Sequence, residues 1–213
     1  MRHRVQDVSR CFEACLDLFA QSDLFTGPSW YFHRKTIARQ ATHSSTVTLL
    51  TDDEFFDWLY ATLTAWGLHR MGAGNTKLRD IEQLKRSFRA QAAKIQALAH
   101  LRITSLPTGE IRHVAEQIWV VLAALEVSVA EAQIVANSKA LHHVLPQLVP
   151  PIDRQYTFNF FYDRTMLSIS EPDAFLEMYG HLAQIATNNA AVIQARVGSG
   201  WNTSDSKAVD NAI

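Results

Sequence analysis

The densest run of chemistry-bearing side chains lies between Asn137 and Asp153. It reads Asn137-Ser138-Lys139-Ala140-Leu141-His142-His143, followed by Pro146, Leu148, Pro150, Pro151 and Asp153. Residues three and four apart share a helix face, so Lys139, His142 and His143 project in similar directions while Leu141, Val144 and Leu145 are left to pack. The prolines stiffen the path out of that helix and fix where Asp153 sits. Lys139 and Asp153 are the candidate catalytic residues, with His142 and His143 as ligand-binding neighbours. A lysine attacks carbon as its unprotonated amine, and a nearby carboxylate stabilises positive charge developing at that carbon. The same residues also have a purely structural reading. Asp153 can cap the helix that follows, the imidazoles can bond the turn and a neighbouring carbonyl, and Lys139 can lie along the surface with its stem buried.

Two other groups carry weaker signals. Trp30-Tyr31-Phe32-His33-Arg34-Lys35 interleaves aromatic and basic residues. Arg34 and Lys35 suit phosphates and an aromatic ring suits a base, with Arg70 joining them if its segment lies adjacent. The bland alternative is a core-facing aromatic stripe with a solvated basic back. Glu110, His113 and Glu116 share one helix face and resemble half of a di-metal site, and Glu177 with His181 is the only distant candidate for the other half. A solvated first helical turn accounts for them equally simply, and no metal or cofactor is assigned.

The string Ser138-Lys139-x-Leu141-His142-His143-x-x-Pro146-x-Leu148-x-Pro150-x-x-Asp153 resembles a motif of uncharacterised bacterial helical proteins. A segment like Ala65-Trp66-Gly67-Leu68-His69-Arg70 also recurs in that group. The order of lysine, helix, proline and aspartate is distantly similar to the helix-hairpin-helix DNA glycosylases, whose lysine attacks the sugar C1′ with help from an aspartate just beyond its helix. Lys139 and Asp153 are the positions that match those roles. Val135-Ala136-Asn137-Ser138 stands where those enzymes carry a Gly-rich hairpin. The resemblance implies nucleic acid as the ligand.

The elements that position these residues read as helices almost throughout. Apolar residues recur at helical spacing over Val5–Ala20, Phe55–Trp66, Lys77–Ile103, Glu110–Glu126 and Ser128–Leu145, and again from Ser170 to Ala195. Thr51-Asp52-Asp53-Glu54 and Ser128-Val129-Ala130-Glu131 are capping boxes, and Met71-Gly72-Ala73-Gly74 reads as a helix exit. Glu110–Glu126 is apolar on most sides, which predicts the central core helix with Trp119 buried. Ser44–Leu50 is the one stretch with strand character, and a short extended connection suits it better than a paired strand. The pattern predicts an all-α, single globular, non-bundle domain over residues 1–198, with room for two lobes, and a short polar tail over 199–213.

Composition limits the function classes. With 20 Lys+Arg against 21 Asp+Glu the net charge is -1, so nucleic acid can bind only through a local patch. There are 14 basic and 10 acidic residues in 1–107 against 6 and 11 in 108–213, which places the surplus of positive charge on the first half. Cys11 and Cys15, one turn apart, read as buried reduced thiols of a cytoplasmic protein. No apolar run is long enough to cross a membrane, and the N-terminal stretch lacks the apolar core of a signal peptide. Two readings follow. One is a nucleic-acid-binding or glycosylase-like protein; the other is a non-enzymatic helical module whose proline segment presents a surface to a protein partner. The sequence leaves open whether the chain is an enzyme.

Overall fold

The computed structural model of the chain describes residues 2–22, 25–69 and 76–213. Helices account for 68% of it, about twice the globular average, and among the described residues there are twelve α-helices and no strand. Only two isolated β-bridges occur there, Leu78 with Ser128 and Ser199 with Asn202. The all-α reading is therefore what the chain adopts. The predicted helix exit at 71–74 and the candidate Arg70 lie outside the described residues.

Helix α1 (Arg2–Gln21) buries Val5, Val8, Phe12 and Leu16 and leaves helical geometry at Cys11. The two cysteines are not buried as expected. Cys11 is exposed and Cys15 half-buried, because both fall beside the apolar stripe. Helix α2 (Pro28–Gln40) starts from Gly27, whose φ of 63° suits a residue without Cβ, and it packs along α4 (Asp53–Leu63). Between them, Ser44–Leu50 is not extended. Ser45 caps the short helix α3 (Thr46–Leu49) by accepting from the Thr48 N–H, so local capping overrides the β-branched composition there.

Helix α4 starts within the predicted capping box but one residue later than its pattern implies, with the Asp52 carboxylate, and not Thr51, accepting from the Glu54 N–H. It does not run on through Trp66. The chain loosens into a π-helical turn over Thr64–Leu68, where Gly67 takes φ 86°. The long helix expected over 77–103 is instead a bridge at Leu78 followed by α5 (Ile81–Ala90) and α6 (Ala92–Leu98), which are separated at Gln91. Helix α7 (Ile111–Ala124) is not the centre. Val120 is 51% exposed and Trp119 only half-buried against Phe175.

The central helix is α8 (Ile134–Val144). Every residue from Ala136 to Val144 is buried, with polar side chains among them. It packs against α2, α4 and α7. Its start is not at the predicted capping box. The Ser128 hydroxyl accepts from the Ala130 N–H in a turn, and the free N–H groups of Gln133 and Ile134 are met by the carboxylate of Glu171 across the fold. A π-helical turn over Arg154–Phe158 and α9 (Asn159–Tyr162) follow the proline segment. Then come α10 (Glu171–Asn188) and α11 (Ala190–Arg196), which divide at Asn189 what the sequence reads as one helix.

The last fifteen residues are not a loose polar tail. Gly198 and Gly200 turn the chain, and Ser204 caps α12 (Asp205–Asn211), which sits against α1, α10 and α11. Ser204, Asp205, Ser206, Lys207 and Asn211 are all buried. Because this helix buries polar groups, hydropathy did not mark it as part of the core.

Candidate functional site

Lys139 lies in the middle of α8 with its stem in the core, and only 7% of the residue is accessible. Its Nζ donates to Asp153 Oδ2 at 2.6 Å. The approach is built by two side chains of α8 that fasten the proline segment to the helix. The backbone N–H of Ile152 donates to Ser138 Oγ at 3.0 Å, and Lys139 takes the next residue. Asp153 Oδ1 also accepts from the Gln155 N–H at 2.7 Å, which caps the π-helical turn. One carboxylate thus serves as helix cap and as ion-pair partner, so the structural and chemical readings of Asp153 coexist. Burial pushes the Asp153 carboxyl up, but the Lys139 ammonium and the N–H groups of Gln155 and Tyr156 outweigh it and hold it below the usual carboxylate range.

The two histidines turn inward beside a third. His143 Nδ1 donates to the Lys139 carbonyl at 2.8 Å. A carbonyl can only accept, so the proton is on Nδ1 and His143 Nε2 is left to accept from His33 Nδ1 at 3.0 Å. His33 Nε2 then accepts from the Thr203 hydroxyl at 2.9 Å. The chain of bonds links α2, α8 and the loop before α12. His142 Nδ1 donates to the Val149 carbonyl at 2.8 Å, and its Nε2 is a buried acceptor with no protein partner. All three imidazoles are neutral. Burial pushes His33 and His142 well below their ordinary value; the Lys207 ammonium and the cost of placing a second charge beside another imidazole add to it, against the bond from His142 to the Val149 carbonyl. Burial takes His143 down to about 4, although its bond to the Lys139 carbonyl opposes the shift.

Aromatic rings surround this polar centre. Trp66, in the turn that ends α4, and Trp201 each lie nearly parallel to His33, at centroid distances of 5.3 and 5.2 Å. Trp30 of α2 meets Trp201 at 4.6 Å. Basic groups stand over the rings. Arg34 lies over Trp30 at 5.5 Å, Lys207 over Trp201 at 5.4 Å and over Trp66 at 5.8 Å, and Lys139 over Trp66 at 5.9 Å. The series therefore leads from an exposed arginine on α2 to the Lys139–Asp153 pair, past three half-buried tryptophans.

No protein-family model, curated protein or solved structure matches the chain. Its own geometry is what bears on function.

The structure brings Lys139, Asp153, His142, His143 and Arg34 into one region. Lys35 is not among them. It lies over Tyr31 and Trp58, on a different part of the α2–α4 surface. Glu110, His113 and Glu116 do not converge with other ligands. Glu116 pairs with Arg112 and His113 with Gln117 on the exposed side of α7, while Glu177 accepts from the Tyr162 hydroxyl and His181 stacks on Phe161. Among the described residues no three histidine, cysteine or acidic side chains are placed to hold a metal ion. A cavity of about 710 Å³ between α7 and α10, lined by residues such as Arg112, Asp173 and Gln184, shares no residue with the Lys139 region.

His33, Trp201, Lys207 and Asp210 are the members that sequence reasoning missed. His33 stands inside the basic-aromatic segment and was legible only as part of it. The signal for the others is the Ser204 cap followed by an i,i+3 Lys207–Asp210 pair, the pattern of a short helix at the end of the chain.

Proposed function

We propose that this protein binds a single nucleic-acid strand along the series of basic groups set over aromatic rings, with Lys139 and Asp153 at its inner end. The pairing of cations with rings carries the reading. Cations set among π-faces are what a strand requires, since its phosphates seek cations and its bases stack on rings whatever their sequence. With an overall charge of -1, affinity has to come from such a local track and not from a general basic coat. Adding a short single-stranded oligonucleotide should quench the fluorescence of the half-buried tryptophans, and Lys139→Gln should weaken the effect. Emission that is unchanged by the strand, or quenched equally in the variant, would overturn the reading.

The contact between Lys139 and Asp153 favours a second, chemical reading on the same residues. Lys139 stands as an ammonium 2.6 Å from Asp153, and in a glycosylase-like reaction it would pass a proton to that carboxylate or to water before its amine attacks a sugar carbon. The amine would condense with the open-chain aldehyde of an abasic site, releasing water and forming an imine that borohydride reduces to a stable amine. Trapping by wild type, lost in Lys139→Gln and reduced in Asp153→Asn, supports catalysis. Absence of trapping with intact binding leaves a binding protein.

A further inference from the structure

Helix α12 buries an unusually polar sequence, and buried polar groups need partners. Asp205 has Arg102 and Thr104. Ser206 donates to the carbonyls of Pro146 and Val149, and Asn211 donates to Asn202. Lys207 is different in kind. It is as inaccessible as Lys139, at 7%, and its partner Asp210 lies on its own helix. Replacing such a pair by apolar side chains commonly costs a protein little, so fold stability alone gives weak grounds for burying it.

The placement supplies a stronger reason. Lys207 and Lys139 come from different helices, yet their ammonium groups lie over one tryptophan ring, Trp66, at 5.8 and 5.9 Å. Each brings its own carboxylate, Asp210 and Asp153. The network behind them is unfinished, since the fully buried His142 Nε2 has no protein donor. The arrangement is two cations set against one tryptophan ring, each balanced by an aspartate.

We propose that Lys207 and Asp210 form the second half of the site, and that Lys139 and Lys207 together hold one phosphate of the strand; this rests on the strand-binding reading above. A phosphate presents several acceptor oxygens and can receive an ammonium on two sides at once. The aspartates neutralise the lysines until the phosphate replaces them. Asp153 then keeps its bond from the Gln155 N–H. Burial and the Asp153 charge push the Asp210 carboxyl up, which makes it the easier of the two to neutralise.

The test is the salt dependence of affinity for a fluorescein-labelled single-stranded oligonucleotide, in wild type, Lys139→Gln, Lys207→Gln and Asp210→Asn. Losing one lysine contact should weaken binding about tenfold and flatten the slope of log affinity against log salt by about 0.7. Asp210→Asn frees Lys207 from its counter-ion and should tighten binding. Wild-type protein that fails to bind overturns the strand reading itself. Binding that responds to Lys139→Gln but not to Lys207→Gln or Asp210→Asn leaves that reading standing and overturns this inference. If Lys207→Gln does not fold, Asp210→Asn decides alone: tighter binding supports the shared phosphate, and equal or weaker binding overturns it.

Discussion

The three buried imidazoles are the residues whose protonation the fold tolerates least. An unfolded histidine takes up its proton near 6.5, whereas His143 in the folded chain does so only at about 4, and His33 and His142 are pushed the same way. Between those values the unfolded chain binds more protons, so stability is complete above about pH 6.5 and declines as the pH falls toward 4. Asp210, pushed up, contributes in the opposite sense, but one carboxyl stands against three imidazoles. The urea midpoint should therefore fall between pH 7 and pH 4.5, and His143→Gln should flatten that fall. A midpoint constant over this range would mean that the imidazoles are not held neutral. Lys139, His142, His143 and Asp153 were legible as a group because they crowd into one short motif. Their partners were not, because His33 lies 110 residues from His143 and no local pattern announces a contact over that distance.

The helices show where sequence patterns mislead, and each case has a physical cause. The pattern assigned the centre of the fold to α7 because it is apolar on several sides, yet α8 occupies it. Helix α8 can be buried because most of its polar side-chain atoms have partners: Asn137 donates to the carbonyls of Leu122 and Leu125, where α7 ends, and Ser138 holds Ile152. Hydropathy counts such residues as surface, whereas pairing makes them core. The cap of α8 was misplaced because Glu171 reaches it from another helix. Two substitutions test elements directly. Asp205 is fully buried and takes three side-chain bonds, from Arg102 and Thr104. Asp205→Ala should cost about 1–3 kcal/mol in denaturant unfolding, because the half-exposed Arg102 regains water when the carboxylate is lost, and no measurable loss would return α12 to the status of a tail. Gly67 needs φ 86° to turn Trp66 toward His33. Gly67→Ala meets no neighbouring atom, so its cost should be the conformational penalty alone, about 1–2 kcal/mol. It should weaken strand binding along with stability if Trp66 is part of the track.

For the whole molecule, charge balance and helical content were the most legible properties. The all-α class follows from periodicity and caps that agree along most of the chain, while the positions of breaks at Gln91 and Asn189 depend on tertiary packing that periodicity does not register. No helix among the described residues is long and apolar enough to cross a membrane. With almost no net charge, a strand can be attracted only through its local contacts, so affinity should fall steeply with salt and with a slope set by a few lysines and arginines. Arg34→Ala should flatten that slope, because Arg34 stands at the outer end of the track, while Lys35→Ala should leave it unchanged, because Lys35 is turned to Tyr31 and Trp58. Equal effects of the two would move the binding surface to the exposed side of α2. The most direct measurement is the equilibrium affinity for a short single-stranded oligonucleotide, by fluorescence anisotropy at one fixed salt concentration, in wild type and in Lys139→Gln of matched thermal stability. The strand-binding account predicts saturable binding by wild type and a loss of about tenfold in the variant; no binding by wild type, or equal affinity in the two proteins, would contradict it.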